Sequence, residues 1–204
     1  MDRPRTTAFY RKHLPHWEVE NGVYFITIRL HGTLPREVEL ELKRMAGEIA
    51  RTDGKRKQAL QRKIFLTMEK WLDASRENRF LGEPAVAAMV MASIRNLRER
   101  GIWNVVEYAI MPNHVHLFVQ FTEGTLWRNM INFKRWTGRR AVRILEWGQG
   151  PFWEEEWFDH WARSERECVR IIEYIRRNPV KAGLVNDYRE WPYGLWNEAK
   201  LLGE

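Results

Sequence analysis

The sequence predicts an α/β (α+β) fold, an antiparallel sheet with helices on one face, from three observations. Residues 23–31 alternate between apolar and other side chains, which is typical of a strand with one buried face. Strand patterns at 102–110 and 114–121 are separated only by a short turn, so we expect an antiparallel hairpin. Helical patterns fill the intervals between the strands. The order strand, helix, strand, strand, helix, strand is that of a ferredoxin-like fold.

The first crossover contains more helix than the sandwich needs. Helical patterns at 36–50 and 58–73 each place apolar side chains on one face, and the basic residues between them are interpreted as a linker. A third helix begins at Pro84, which suits a first helical turn, and stops at Gly101. We therefore interpret residues 36–75 as a helical insertion.

The second half of the chain supplies the remaining elements. Residues 126–145 predict a basic helix, and a short strand is expected near 157–163. The next helix runs from Ser164 to about Asn178, and Ser164 with Glu167 forms a capping-box pattern. We expect this helix to be appended to the sandwich through an apolar stripe.

We expect a single domain over residues 1–204. The basic residues of 1–21 follow no period, so this range is interpreted as a mobile or draped N-terminal arm. Residues 186–204 are expected to form a C-terminal tail.

Composition points to a partner that carries phosphate groups. The chain has 204 residues, 44% of them hydrophobic, with a net charge of +7 and a pI near 9.7. Such a basic balance is common in proteins that bind nucleic acid. Cys168 is the only cysteine, and we see no signal peptide and no apolar run long enough for a membrane span. These features predict a reducing, cytoplasmic location.

Two histidines carry the strongest chemical signal. His114 and His116 fall in a predicted strand, where residues i and i+2 share a face, so both imidazoles are expected together. Paired neutral imidazoles make half of a metal site. The alternative is that both are core histidines with satisfied hydrogen bonds.

A second pattern lies on the appended helix. Tyr174 and Asn178 are four residues apart, so the hydroxyl and the amide can reach the same point. With His114 and His116, Asn178 would complete three ligands for a cation that polarises a phosphodiester for attack by Tyr174. The alternatives are that Tyr174 packs against the core and that Asn178, before Pro179, ends the helix.

The motifs resemble a known family. Met-Pro-Asn-His-Val-His-Leu at 111–117 and Tyr-Ile-Arg-Arg-Asn-Pro-Val-Lys-Ala-Gly-Leu-Val at 174–185 resemble the REP-associated tyrosine transposases of the HUH superfamily. These are relatives of bacterial insertion-sequence transposases that act on single-stranded DNA. Shorter similarities accompany them at residues 81–86, 150–153, 157–159 and 191–192.

The resemblance implies a ferredoxin-like nuclease and strand transferase that depends on Mg²⁺ or Mn²⁺. His114 and His116 match the paired histidines, Tyr174 matches the nucleophile, and Asn178 takes the position of a polar metal ligand. The tyrosine would form a 5′-phosphotyrosine link and leave a free 3′-hydroxyl. The implied substrates are REP hairpins flanked by a recognition tetranucleotide. The smallest relatives share active sites across dimers, but for this chain we favour a monomer over a homodimer.

Cationic side chains are expected to bind the DNA backbone without reading sequence. Trp127 and Trp136, beside arginines, are the better candidates for stacking on unpaired bases. The alternative for the basic helix is a solvated face. The predicted DNA-binding residues are Arg128, Lys134, Arg135, Arg139, Arg140, Arg143, Arg163, Arg176, Arg177 and Lys181.

Two other functions remain open from sequence. The first is a domesticated HUH protein that binds structured single-stranded DNA without cutting it. The second is a hydrolytic metalloenzyme that uses water as the nucleophile, with Glu154, Glu155, Glu156 or Asp159 completing the histidine site.

Overall fold

The computed structural model describes residues 6–11, 15–49, 51–148 and 150–203. In chain order its strands and helices are β1 (Thr6–Arg11), β2 (Pro15–Val19), β3 (Val23–Arg29), α1 (Arg36–Ile49), α2 (Gly54–Ala74), α3 (Pro84–Glu99), β4 (Trp103–Ile110), β5 (His114–Phe121), α4 (Leu126–Ile144), β6 (Phe158–Trp161), α5 (Glu165–Lys181) and α6 (Glu198–Leu202). None of the helices in this described part of the chain is long and apolar enough to cross a bilayer.

The central sheet has four antiparallel strands in the order β4, β5, β3, β6. β5 is an inner strand, and its residue His116 lies opposite Thr27 on one side and Ala109 on the other. This topology confirms the predicted ferredoxin-like fold class, with the β4–β5 hairpin at the expected turn.

The alternating residues of β3 and β5 pack into two apolar clusters on opposite faces of the sheet. On the first, called here the α3–α4 face, Ile26, Val115 and Leu117 pack against α3 and α4. On the second, called the site face, Phe25 and Phe118 pack against residues of α1, α2 and α5. The two helices of the predicted sandwich therefore share one face as expected, and the insertion and the appended helix cover the other.

The insertion is a pair of helices, α1 and α2, that pack on each other. Ile64, Met68 and Leu72 recur every four residues along α2 and are buried in the cluster of the site face. The basic run predicted to be a linker is instead the start of α2, which begins at Gly54. Lys, Arg and Gln are good helix formers that keep their polar ends in water, so an exposed basic run can extend a helix.

The predicted N-terminal arm is wrong for the part of 1–21 that the structure describes, because β1 and β2 form an antiparallel hairpin. The hairpin is attached to the rest of the fold through β2. The Glu18 carboxylate accepts hydrogen bonds from the backbone N–H groups of Leu126 and Trp127 at 3.0 and 3.1 Å, at the positive end of α4. Residues 1–5 and 12–14 of the predicted arm lie outside the described residues.

Helix α5 continues beyond its predicted end at Asn178 and includes Pro179. Proline removes one backbone donor, but close to the end of a helix this loss affects a single hydrogen bond. The helix is closed by the N–H of Leu184, which donates to the Pro179 carbonyl at 3.0 Å, next to Gly183 with φ +67°. Glycine adopts this left-handed conformation without steric strain, as is common after a helix.

The C-terminal tail lies along the outer edge of β4. The N–H of Ile110 donates to the Tyr193 carbonyl at 2.8 Å, and Trp191 Nε1 donates to the Ile110 carbonyl at 3.0 Å. Further along, the Tyr108 hydroxyl donates to Glu198 at 2.7 Å. The tail thus pairs with backbone groups that an edge strand would otherwise expose.

Candidate active site

The paired histidines project from β5 into the site face, where both are buried. Their Nε2 atoms lie 3.0 Å apart. The predicted sharing of one strand face therefore brings the two imidazoles together.

Each imidazole is oriented by a second contact at its other nitrogen. His114 Nδ1 lies 2.7 Å from Asn113 Oδ1, and the amide of Asn113 is fixed because its Nδ2 donates to the Leu72 carbonyl at 2.9 Å. An amide oxygen only accepts, so His114 carries its proton on Nδ1 and its Nε2 lone pair points to the centre. His116 Nδ1 contacts Thr27 Oγ1 at 2.9 Å.

Helix α5 places the predicted tyrosine and asparagine beside this centre. Asn178 Nδ2 lies 3.1 Å from His116 Nε2 and 3.1 Å from the Tyr174 hydroxyl oxygen. The structure thus brings together all four residues that the sequence singled out, and the spacing of four along one helix accounts for the contact between Asn178 and Tyr174.

A fifth residue, Glu69, was missed by sequence reasoning. It lies on α2 within the insertion, is 2% exposed, and accepts a hydrogen bond from the Tyr174 hydroxyl through Oε2. The same oxygen is 3.3 Å from His116 Nε2. The available signal was weak, since Glu69 simply follows Met68 of the apolar stripe, where an acidic residue is unexpected.

Burial and mutual charge set the ionisation of these groups. Burial opposes the charged form of Glu69, but His116 and then His114 outweigh it and lower the pKa of the carboxyl to about 2. Burial, followed by His116, lowers the pKa of His114 to about 3. Burial and the negative charge of Glu69 raise the pKa of the Tyr174 phenol above its usual value.

The donor set fits a divalent cation. Ligand atoms of Glu69, His114 and His116 all lie within 4.8 Å of one another. Glu69 Oε1 and Asn178 Oδ1 are buried and have no hydrogen-bond partner. Buried polar atoms left unpaired are costly, so two such oxygens beside converging imidazoles indicate a ligand that carries positive charge. Imidazole suits transition ions, whereas carboxylate and amide oxygens also suit Mg²⁺ and Mn²⁺.

The acidic run that the hydrolytic alternative used lies elsewhere. Glu154 contacts Arg29 at 3.3 Å, and Asp159 pairs with His16 of β2. Within the described residues, the one His, Cys, Asp and Glu cluster suited to a metal is the one containing Glu69. The prediction that the acidic run completes the histidine site is therefore wrong, because Glu154 pairs with Arg29, and Glu156 and Asp159 pair with His16, away from the histidine pair.

Most predicted DNA-binding residues are exposed, but they divide between two faces. Those on α4 lie over the α3–α4 face, opposite Tyr174. Around Tyr174, Arg176 forms an ion pair with Glu107 at 2.6 Å and Lys181 forms one with Asp73 at 2.7 Å. The exposed members of the predicted set are Arg128, Arg135, Arg139, Arg140, Arg143, Arg163, Arg176, Arg177 and Lys181.

Lys134 does not fit the predicted DNA-binding role. It is buried, donates from Nζ to the Glu155 carbonyl at 2.5 Å, and lies over the Trp157 ring at 5.0 Å. Burial lowers its pKa to about 8. Its position in the helix turns it inward, so we exclude it from the set.

The two stacking candidates also differ. Trp136 is 54% exposed and carries Arg140 above its ring at 5.5 Å. Trp127 packs against the rings of Trp157 and His16. Trp136 is thus the one whose ring face is open to a base.

A ferredoxin-like sheet with paired histidines facing a tyrosine on an appended helix defines the HUH class of proteins. The chain belongs to the IS200-like transposase family, whose family model matches residues 71–178, more than half of the chain. This range contains His114, His116, Tyr174 and Asn178, and it excludes Glu69.

Individual relatives agree with this family. A REP-associated tyrosine transposase of Escherichia coli K12 is 24% identical over 113 residues, covering 55% of this chain and 65% of the relative. A Haemophilus influenzae protein provisionally named a REP-associated tyrosine transposase is 25% identical over 104 residues, covering 45% and 57%. The chain thus spans less than two thirds of either relative. These matches confirm the resemblance stated from the motifs.

A solved structure supports the fold over nearly the whole chain. It is the structure of a REP-associated tyrosine transposase bound to a REP hairpin, with a TM-score of 0.57 and 15% sequence identity. The similarity covers 97% of this chain and 87% of that one. The insertion and the tail are therefore included in the structural match.

Proposed function

We propose that this protein is a metal-dependent single-stranded DNA endonuclease and strand transferase that acts on REP-type hairpins through a 5′-phosphotyrosine intermediate. The observation that carries the proposal is the position of the Tyr174 hydroxyl. Through the Asn178 amide, 3.1 Å away, it is linked to the paired-histidine centre. A partly buried phenol beside a candidate cation site is suited to covalent attack on phosphorus.

We propose that His114, His116 and Glu69 hold Mg²⁺ or Mn²⁺, with the Asn178 amide oxygen as a further ligand. When bound, the cation supplies a Lewis acid for a non-bridging phosphate oxygen. Rotation of the Asn178 amide would exchange its nitrogen for the unpartnered Oδ1 on the side of the histidines.

The chain's own residues hold and activate the nucleophile. The bond from the Tyr174 oxygen to phosphorus forms while the bond from phosphorus to the 3′-oxygen breaks, leaving a 5′-phosphotyrosine and a 3′-hydroxyl. The Glu69 carboxylate accepts a hydrogen bond from the phenol and orients it; the phenol proton leaves as the bond to phosphorus forms, and the departing 3′-oxygen takes up a proton. In strand transfer a 3′-hydroxyl attacks the phosphotyrosine, and the phenol recovers its proton.

We propose that DNA is bound by two sets of basic side chains, one around Tyr174 and one on α4. The relative of known structure is bound to a REP hairpin. Arg163, just before α5, and Arg177, on α5, are placed to hold the scissile strand near Tyr174, whereas the α4 arginines on the opposite face could bind the folded part of the DNA.

We propose that the protein acts as a monomer and that it does so in the cytoplasm. Tyr174 and both histidines meet within one chain, so no residue from a second subunit is needed to complete the constellation. Light scattering of the protein with and without hairpin DNA tests this, and a dimer required for cleavage would contradict it.

The test of function is a denaturing gel that separates protein–DNA adducts from free fragments. Hairpin single-stranded DNA is incubated with Mn²⁺, with and without chelator, and with wild type, Tyr174→Phe or the matched control Tyr188→Phe. We expect a chelator-sensitive adduct with wild type and the control and none with Tyr174→Phe.

Other outcomes would identify the alternatives. Binding without any cleavage would indicate a non-catalytic DNA-binding protein. Cleavage that leaves a free 5′-phosphate and no adduct, and that persists in Tyr174→Phe, would indicate hydrolysis by water.

A further inference from the structure

Besides its buried apolar stripe of Ile64, Met68 and Leu72, helix α2 has a second stripe, a row of aligned side chains. Gln58, Gln61, Phe65 and Glu69 are spaced by three or four residues and so lie on one side of the helix. Glu69 ends this stripe in the metal centre, and the Phe65 ring packs at 5.4 Å from the Tyr174 ring. The stripe therefore leads from the helix surface to the nucleophile.

A cleft of about 440 Å³ lies along this stripe, between α2, β6 and α5, and Tyr174 lines it. This volume is within the range of small-ligand pockets. Phe65 and Phe158, whose ring centroids are 5.1 Å apart, give it aromatic walls. Gln58 and Gln61 supply amides on the α2 side.

The charges of the cleft suit an anionic polymer. Arg62, Arg163 and Arg170 line it, and none of them forms an ion pair with a carboxylate of the described residues. Its acidic side chain, Glu167, contacts His160 at 2.8 Å, and this hydrogen bond, together with one from the backbone N–H of Arg163, outweighs burial and lowers the pKa of Glu167 to about 2. Guanidinium groups without a carboxylate ion pair, at a cleft with aromatic walls, suit the phosphates and bases of single-stranded DNA.

We propose that this cleft holds one unpaired base of the DNA strand, next to the phosphate that Tyr174 attacks, and that Gln58 and Gln61 read its edge. The proposal rests on the proposed function and adds a specificity site to it. Phenylalanine rings stack on any base, whereas glutamine amides distinguish bases through paired hydrogen bonds.

The reading residues are particular to the insertion. The match to the IS200-like family begins at residue 71, so Gln58, Gln61 and Phe65 lie outside it, whereas Tyr174 lies inside. The inserted helix pair would thus add a base preference to the chemistry of His114, His116 and Tyr174 in the matched range.

The experiment begins with a fully randomised single-stranded DNA pool, selected for binding to a Tyr174→Phe background so that no DNA is cut. Selected DNA is then made abasic at one position at a time. We expect one position near the cleavage site whose base contributes about 5- to 150-fold in affinity, equivalent to ~1–3 kcal/mol. In Gln58→Ala/Gln61→Ala, the choice of base at that position should be lost.

Controls separate base reading from other roles. Gln120→Ala, an amide at the far end of β5, should keep the full preference. Phe65→Leu should reduce the penalty of the abasic position without changing which base is preferred. Base reading by this cleft is excluded if the double variant binds every DNA more weakly by the same factor. It is also excluded if removing a base at any position weakens binding by the double variant as much as it weakens binding by its Tyr174→Phe background.

Failure of this inference is distinguishable from failure of the proposed function. The adduct assay is repeated on the double variant with Tyr174 intact, using the selected DNA. An adduct without altered base preference overturns only the inference. Absence of an adduct with wild type overturns both.

Discussion

Neighbouring residues of β5 serve opposite purposes on the two faces of the sheet. Leu117 is 1% exposed and lies in the apolar cluster of the α3–α4 face. His116, the preceding residue, is 0% exposed and contacts only polar partners at its two nitrogens. Both faces bury apolar surface, and the site face also buries the polar groups of the candidate site, two of whose oxygens have no hydrogen-bond partner.

This comparison shows how the fold remains stable although the candidate site lowers the free energy of unfolding. Unpaired buried oxygens such as Glu69 Oε1 reduce the free energy of unfolding by about 1–3 kcal/mol each. Fully buried aliphatic side chains on the other face each contribute about 1.5–3 kcal/mol. The apolar clusters of both faces offset this cost, and substitutions at neighbouring positions of β5, one on each face, should separate stability from activity.

The largest effect is expected from His116→Ala. A Lewis acid contributes several kcal/mol to phosphoryl chemistry, so adduct formation should fall by on the order of 10³-fold. Mn²⁺ binding, measured by calorimetry, should weaken in parallel. Far-UV circular dichroism should be unchanged, and an adduct formed at the wild-type rate would remove His116 from the metal site.

Leu117→Ala should have the reverse effect, lowering the stability of the fold while leaving activity unchanged. Truncating a buried leucine leaves a cavity and costs about 2–5 kcal/mol in the free energy of unfolding. Urea unfolding measures this loss, and adduct formation per folded molecule should be retained below the unfolding transition. A variant that is stable but inactive would show that the two faces are not separable.

The sequence was sufficient to predict those features that depend on the repeat of side chains along a single strand or helix. The alternation of β5 separated His116 from Leu117, and the spacing on α5 paired Tyr174 with Asn178. Glu69 could not be predicted, because its contact with Tyr174 joins residues 105 positions apart and depends on how the inserted helices dock.

Other errors of the sequence analysis have the same origin. Lys134 was assigned to the solvated face of a basic helix, but tertiary packing against Trp157 turns it inward. The N-terminal hairpin was missed because its attachment is long-range, through Glu18 and through His16 with Asp159. Charge and period describe an isolated segment, whereas these contacts are made between segments.

A smaller effect is expected from the buried ion pair beside the α3–α4 face. Burial opposes protonation of His16, but Asp159, assisted by Glu156, raises its pKa to about 9. The folded pKa exceeds the unfolded value of about 6.5, so the stabilisation is complete below about pH 6.5 and is lost as pH rises through 9. The maximum loss is about 3 kcal/mol.

Urea unfolding at pH 6.5 and 9.5 on wild type and His16→Gln measures this contribution. Lys134 titrates in the same range with the opposite sign, since burial lowers its pKa to about 8. The difference between wild type and the variant isolates His16. Equal pH dependence in the two proteins would contradict the assignment.

The smallest effect compares two buried threonines, one on each face. Thr27 contacts His116 Nδ1 at 2.9 Å, and Thr137 accepts from Trp153 Nε1 at 2.9 Å on the α3–α4 face. Thr27→Val removes the contact that orients the imidazole proposed as a metal ligand, so Mn²⁺ affinity should fall by about 10- to 100-fold. Thr137→Val should leave that affinity unchanged and lower the free energy of unfolding by about 1–3 kcal/mol, because the indole N–H loses its acceptor.

Calorimetric titration of chelator-treated protein with Mn²⁺ measures the affinity of both variants. Equal affinities would mean that the site face does not depend on the orientation of His116, and the division between the two faces would then lie in the ligands alone.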